Sequence, residues 1–202
     1  MNIITYANTK GGVSKTTSAM LSAGILARRG YKVEVRDMDP SAGATKWMKM
    51  AAENGHPLPY PVVTSNVENV GDPSQTGADW ILVDTPPLQS NVIQAAIDAA
   101  DLVVITTQPS PLDLNRALAT AQAVSGPMSF LVTRVSRNTT AWKECMETLR
   151  SKEMPVFESS INARESIRKA AGTAVIPHDT GYEEVVDEML EFFREDTDGE
   201  TN

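Results

Sequence analysis

The chain has 202 residues, with 18 lysines and arginines against 26 aspartates and glutamates, a formal net charge of −8. That balance excludes a protein basic over its whole surface, so any nucleic-acid contact has to come from a local patch. The single cysteine, Cys145, excludes a disulfide framework and a tetrahedral cysteine metal site, which leads us to expect a reducing, cytoplasmic setting.

An apolar, strand-like run over 2–7 leads into Lys10-Gly11-Gly12-Val13-Ser14-Lys15-Thr16-Thr17, where a helix opens. Glycines let backbone N–H groups curl around an anion, a lysine at the turn supplies charge for β and γ phosphates, and a hydroxyl after it can hold Mg²⁺. The first helix is expected over 15–29, with Met20, Leu21, Ile25 and Leu26 inward and Gly30 closing it. A second strand over 31–36 ends at Asp37-Met38-Asp39-Pro40, where the proline presets a turn. A helix over 43–54 follows. From His56 to Ala78, prolines and glycines mark a surface connection in which only 60–64 is strand-like. Trp80-Ile81-Leu82-Val83 is the continuous apolar run of a strand buried on both faces. It ends in Asp84, a carboxylate placed as in a Walker B strand to hold Mg²⁺ directly or through water.

Beyond Asp84 the pattern alternates. Helices are expected over 90–99, 112–124 and 140–151, strands over 102–106, 128–133 and 156–161, a short helix over 164–171 and a last one over 182–195. This spacing means βαβ units, hence an α/β fold with a doubly wound, mostly parallel sheet and helices on both faces. One domain is expected over 1–196, with 197–202 a polar, disordered tail. No 18-residue apolar run predicts a membrane span. The last helix joins an apolar face (Val185, Val186, Met189, Leu190, Phe192, Phe193) to a strongly acidic one, which suits core packing rather than anionic lipid.

The loop fails the generic GxxxxGK[ST] pattern, because Thr9 and Ser14 stand at its two glycine positions. Its KGGxxKTT layout resembles the deviant Walker A loop of the ParA/MinD family of P-loop ATPases, in which a further lysine, here Lys10, precedes the glycines. Ser14 departs from that family's glycine; at positive φ a serine there costs roughly 1 kcal/mol or more. The resemblance extends through Thr107-Gln108-Pro109-Ser110-Pro111-Leu112-Asp113 and Phe130-Leu131-Val132-Thr133-Arg134 to nearly the whole chain, and is greatest for short, ParF-like plasmid-partition members.

The resemblance implies ATP and Mg²⁺ as cofactors. Lys10, Gly11, Gly12, Val13, Ser14, Lys15, Thr16 and Thr17 would then hold the nucleotide, Thr16, Asp37 and Asp84 the metal, and Lys10, Lys15 and Asp39 would be catalytic. Asp39 would orient the attacking water, and Lys10 would cross to the phosphates of a second subunit in an ATP-bound homodimer. Arg134 either stacks on adenine or caps its strand. Arg164 and Arg168, one helical turn apart and followed by Lys169, suit either a DNA phosphate backbone or a solvated helix face. Family members bind DNA without sequence preference, associate with the nucleoid when ATP-bound, and are released when a ParB-like centromere-binding partner stimulates hydrolysis. Plasmid partition is the expected output. The alternatives are a ParA-like positioner of a protein cargo and a metabolic ATP-dependent ligase of the dethiobiotin-synthetase type. The ligase would need a polar constellation for its substrate, and His56 and His178, both in predicted loops, do not supply one.

Overall fold

The strand-like runs pair in parallel as β1 (Asn2–Ala7), β2 (Val33–Asp37), β3 (Val62–Thr64), β4 (Trp80–Asp84), β5 (Leu102–Thr107) and β6 (Met128–Val132), in a computed structural model that describes residues 1–136 and 138–199. Their order across the sheet is β3-β2-β4-β1-β5-β6. The helices are α1 (Lys15–Arg28), α2 (Gly43–Glu53), α3 (Ser90–Asp98), α4 (Pro111–Ala121), α5 (Thr140–Ser151), α6 (Glu165–Ala170) and α7 (Tyr182–Gly199). Successive strand residues point to opposite faces. Ile4, Tyr6, Val35, Leu82, Val104 and Leu131 accordingly pack under α1, α2, α6 and α7. Ile3, Val83, Val103, Ile105 and Phe130 pack under α3, α4 and α5.

Helix α1 is enclosed on almost every side. A Cβ on Gly24 would lie 3.2 Å from Ile176, so the glycine lets the segment after α6 close over it. On α7, Val185, Val186, Met189 and Leu190 are buried, and Phe193 stands edge-on to Trp80 with ring centroids 5.0 Å apart. The apolar face of α7 is therefore core. This helix runs to Gly199, past the expected end at Glu195, since a packed helix gains one hydrogen bond for each residue added. Residues 200–202 of the expected tail lie outside the described residues.

The strand expected over 156–161 does not form. Only isolated bridges link Phe130 to Val156 and Val135 to Asn162. Pro155 has no N–H for a ladder, and the Glu158 and Ser159 amides donate instead to the Glu188 carboxylate of α7, at 2.8 and 2.9 Å. The pairing resumes at Ile161, whose N–H reaches the Val132 carbonyl at 2.9 Å.

Strand β2 also carries charge inside. Glu34 and Arg36 are 2% and 4% exposed, and Arg36 Nε donates to Glu34 Oε1 at 2.9 Å. The guanidinium further donates to the Val70 and Asp72 carbonyls at 2.5 and 2.8 Å. Glu34 Oε2 accepts from the Ser74 and Thr76 hydroxyls at 2.9 and 2.7 Å. The long connection after β3 is thus held from below by one ion pair. These bonds hold the Glu34 carboxyl below its ordinary pKa although burial pushes the other way.

Candidate functional site

In a parallel sheet of this kind, ligands bind at the carboxyl ends of the strands. The register brings Asp84 beside Tyr6 of β1 and beside Asp37 of β2, so the loop after β1 and both carboxylates meet at one edge.

The loop is tied down from the neighbouring strand ends. Asn8 donates to the Thr106 carbonyl at 2.7 Å and accepts the Lys10 amide at 2.8 Å. Gln108 Nε2 donates to the Gly12 carbonyl at 2.8 Å, and the Thr133 hydroxyl donates to the carbonyl of the buried Val13 at 3.4 Å. Gly12 and Ser14 take φ of 78° and 71°. Ser14 thus does occupy the left-handed region that its sequence position made suspect. Ser14→Gly is expected to stabilise the protein by about 0.5–1 kcal/mol, since relief of that strain exceeds the added chain entropy. A thermal midpoint raised by about 1–4 °C would register it, and a lowered one would contradict it.

A cavity of about 210 Å³ opens above the loop, lined by Gly11, Gly12, Ser14, Lys15, Thr16, Thr17, Asp39, Pro87 and Arg134. Lys15 is 6% exposed, and its Nζ donates to the Lys10 carbonyl at 2.9 Å. Burial lowers its pKa, opposed by the Asp84 and Asp39 charges. Asp84 is fully buried, and neither carboxylate oxygen has a hydrogen-bond partner. Burial pushes its pKa up to about 7; the Thr16 hydroxyl and Lys15 pull it down, and Asp37 and Asp39 push it further up.

Among the described residues no three or more His, Cys, Asp or Glu side chains form a metal cage. Magnesium rarely uses one; it takes one or two carboxylates together with phosphates and water. The orphaned Asp84 carboxylate beside Thr16 fits a cation that arrives with a nucleotide. Asp37 is engaged otherwise: Oδ2 accepts from the Thr45 amide and hydroxyl at 2.8 and 2.7 Å, and Oδ1 from the Asp39 amide at 3.2 Å. It fastens the first turn of α2 and the Asp39 turn, leaving Asp84 as the carboxylate with both oxygens free.

Residues 4–177 match the family described as "CobQ/CobB/MinD/ParA nucleotide binding domain". The chain belongs to this family. It is 34% identical over 179 residues to the maintenance of carboxysome distribution protein A of Gloeobacter kilaueensis, covering 84% of this chain and 80% of that protein. A variant of Cyanothece McdA in complex with ATP superposes with a TM-score of 0.76 at 19% identity, over 95% of this chain and 96% of that one. A plasmid partition protein from Borrelia burgdorferi superposes with a TM-score of 0.70 at 20% identity, over 94% and 98%. The fold is that of the ParA/MinD P-loop NTPases.

In this ParA/MinD-type chain, Lys10 forms an ion pair with Asp113 at the start of α4. Asp113 was missed as a site residue. Its signal was there: Ser110-Pro111-Leu112-Asp113 is a capping pattern whose serine accepts the Asp113 amide at 3.3 Å, while the carboxylate turns away to Lys10. Arg134, two residues past the end of β6, has φ 53° and lines the cavity. The basic trio lies apart from these. Arg164, with φ −127° and ψ 141°, precedes α6 as its cap, so it does not share a helical face with Arg168 as its spacing suggested. Lys169 pairs with Glu165 at 3.0 Å.

The raised Asp84 pKa predicts that the stability of this chain depends on pH. A folded pKa near 7 against an unfolded one near 4 means that the folded state binds more protons between those values. The nucleotide-free protein should therefore gain stability as pH falls from 8 to 6. Thermal unfolding across that range checks this, and Asp84→Asn should flatten the slope; an equal slope in the variant would assign it to another group.

Proposed function

We propose that this chain is a MgATP-dependent partition ATPase. It binds ATP in the loop after β1, pairs with a second copy, holds DNA without sequence preference, and lets go when a ParB-like centromere-binding partner stimulates hydrolysis. The reading rests on one observation above all, the convergence of buried Lys15, Thr16 and the bond-free Asp84 at the foot of the loop. The loop amides and Lys15 bind and orient the phosphates. Thr16 and Asp84, with Asp37 behind them, would hold Mg²⁺, which would supply charge neutralisation at those phosphates. Asp39, at the cavity rim, positions the attacking water. Phosphoryl transfer demands little beyond such positioning and charge stabilisation. No arginine lies within the loop or the aspartate motif, so basal turnover is slow until a partner completes the site. Lys10 leaves Asp113 to reach the phosphates of the second copy. The protein works in the cytoplasm, nucleoid-associated while ATP-bound.

The cargo proposed here is a plasmid. The 34% identity to a carboxysome distribution protein supports a second reading, in which the same cycle positions a protein body.

Binding of a random-sequence duplex with ADP, ATP or a slowly hydrolysed ATP analogue, at two salt concentrations, tests the reading. Binding with the ATP forms alone, falling steeply with salt and weakened by Arg164→Ala or Arg168→Ala, is the expected result. No binding in any state would overturn it and favour a small-molecule ligase.

A further inference from the structure

Helix α2 is fastened at both ends. At its start, Asp37 grips Thr45, and a Cβ on Gly43 would lie 3.3 Å from the Thr16 methyl, so the first turn sits against the nucleotide loop. Further along, Trp47 Nε1 donates to the Thr173 carbonyl at 2.8 Å and Asn54 Nδ2 to the Gly172 carbonyl at 3.3 Å. Met50 packs so closely on Gly172 that a Cβ there would fall 2.8 Å from its Cε. These contacts seat α2 against the residues that directly follow α6, the helix bearing Arg168.

At 100° per residue, Trp47, Asn54 and Met50 mark the flank of α2 that meets this segment. Lys46 comes next around the helix, then Glu53, then Lys49. Both lysines are exposed, as are Arg164 and Arg168, and none of the four joins a salt bridge among the described residues. The carboxylates facing this surface from the two helices are Glu53 and Glu165, and Glu165 is taken up by Lys169. On a chain of net charge −8, four unpaired cations around one helix junction form a local excess of the sign that a phosphate backbone selects.

We infer that α2 supplies half of the DNA surface: Lys46 and Lys49 contact the phosphate backbone together with Arg164 and Arg168, on a helix whose first turn is bolted to the nucleotide site. The inference rests on the DNA-binding reading above and adds a route by which the nucleotide governs it. Whatever shifts Thr16 or Asp37 shifts the first turn of α2, and with it the lysines. The partner is duplex DNA rather than an anionic membrane, because the apolar residues of α6, Ile167 and Ala170, are turned into the core and α2 exposes only Met50 among its large apolar side chains, too little to insert.

The test is the full chain with both lysines replaced, Lys46→Ala and Lys49→Ala, titrated with the random-sequence duplex in ATP analogue from 50 to 200 mM salt. We expect affinity about tenfold or more lower at the low-salt end and a log–log salt slope smaller by about two. Lys46→Arg with Lys49→Arg should restore both, and circular dichroism should report an unchanged fold. Unchanged affinity and slope in the alanine pair, with Arg168→Ala still weakening binding, would overturn this inference and leave the DNA reading intact. Absence of DNA binding by the parent chain, or binding to phosphatidylserine vesicles in its place, would overturn both.

Discussion

Lys15→Met is expected to remove the proposed ATP hydrolysis while leaving the nucleotide-free protein as stable as the parent or more so. The two effects have one cause. Lys15 is a nearly buried ammonium held by one carbonyl, and its lowered pKa shows that burial costs the charge more than its neighbours return. Methionine keeps the unbranched stem and removes that cost. The charge is what the phosphates need, and losing a preorganised group of this kind costs about 10²–10³ in rate. Single-turnover phosphate release and thermal unfolding, each on the same preparation, separate the terms. A variant that hydrolyses ATP within tenfold of the parent would remove the loop from the mechanism, and a variant that is active but unstable would invert the argument.

The largest effect on stability is expected at Glu34, on β2 beneath the long connection. Glu34→Leu strands the 4%-exposed Arg36 guanidinium and takes the acceptor from two hydroxyls. Removing one partner of a buried ion pair typically costs 3–5 kcal/mol, against less than about 1 kcal/mol for an exposed pair. For a chain of this length that is a fall of roughly 6–20 °C in the midpoint of unfolding. Urea denaturation should show the loss, and adding Arg36→Met should recover part of it, since the double variant leaves no stranded charge at this site. A cost under 1 kcal/mol would mean that the guanidinium is satisfied by the Val70 and Asp72 carbonyls alone.

Residues governed by local rules were legible in the sequence. Alternating apolar runs placed six strands; the glycines, lysine and hydroxyls placed the loop; and Asp84 followed from the buried strand before it. What resisted reading depends on contacts between distant segments. The Glu188 side chain, thirty residues away, takes the amides that a strand over 156–161 would have used. The 31–36 strand starts two residues late because the Tyr31 amide still closes α1, donating to the Leu26 carbonyl at 3.1 Å. Asp113 is paired with Lys10 across 103 positions, and no spacing rule reaches that far. Arg164 and Arg168 have helical spacing, but a helix counts only from its first residue, and α6 begins at Glu165.

The interrupted segment after α5 bears on how the protein behaves when crowded. A sheet edge with a long row of free amides and carbonyls is a template on which another chain can add a strand. Here one edge is β3, three residues long, and the other, β6, is shielded by a segment whose own amides are diverted to Glu188. Neither border offers a continuous template. Copies that hold DNA without sequence preference, as proposed above, can therefore crowd along it without their sheets joining into aggregates.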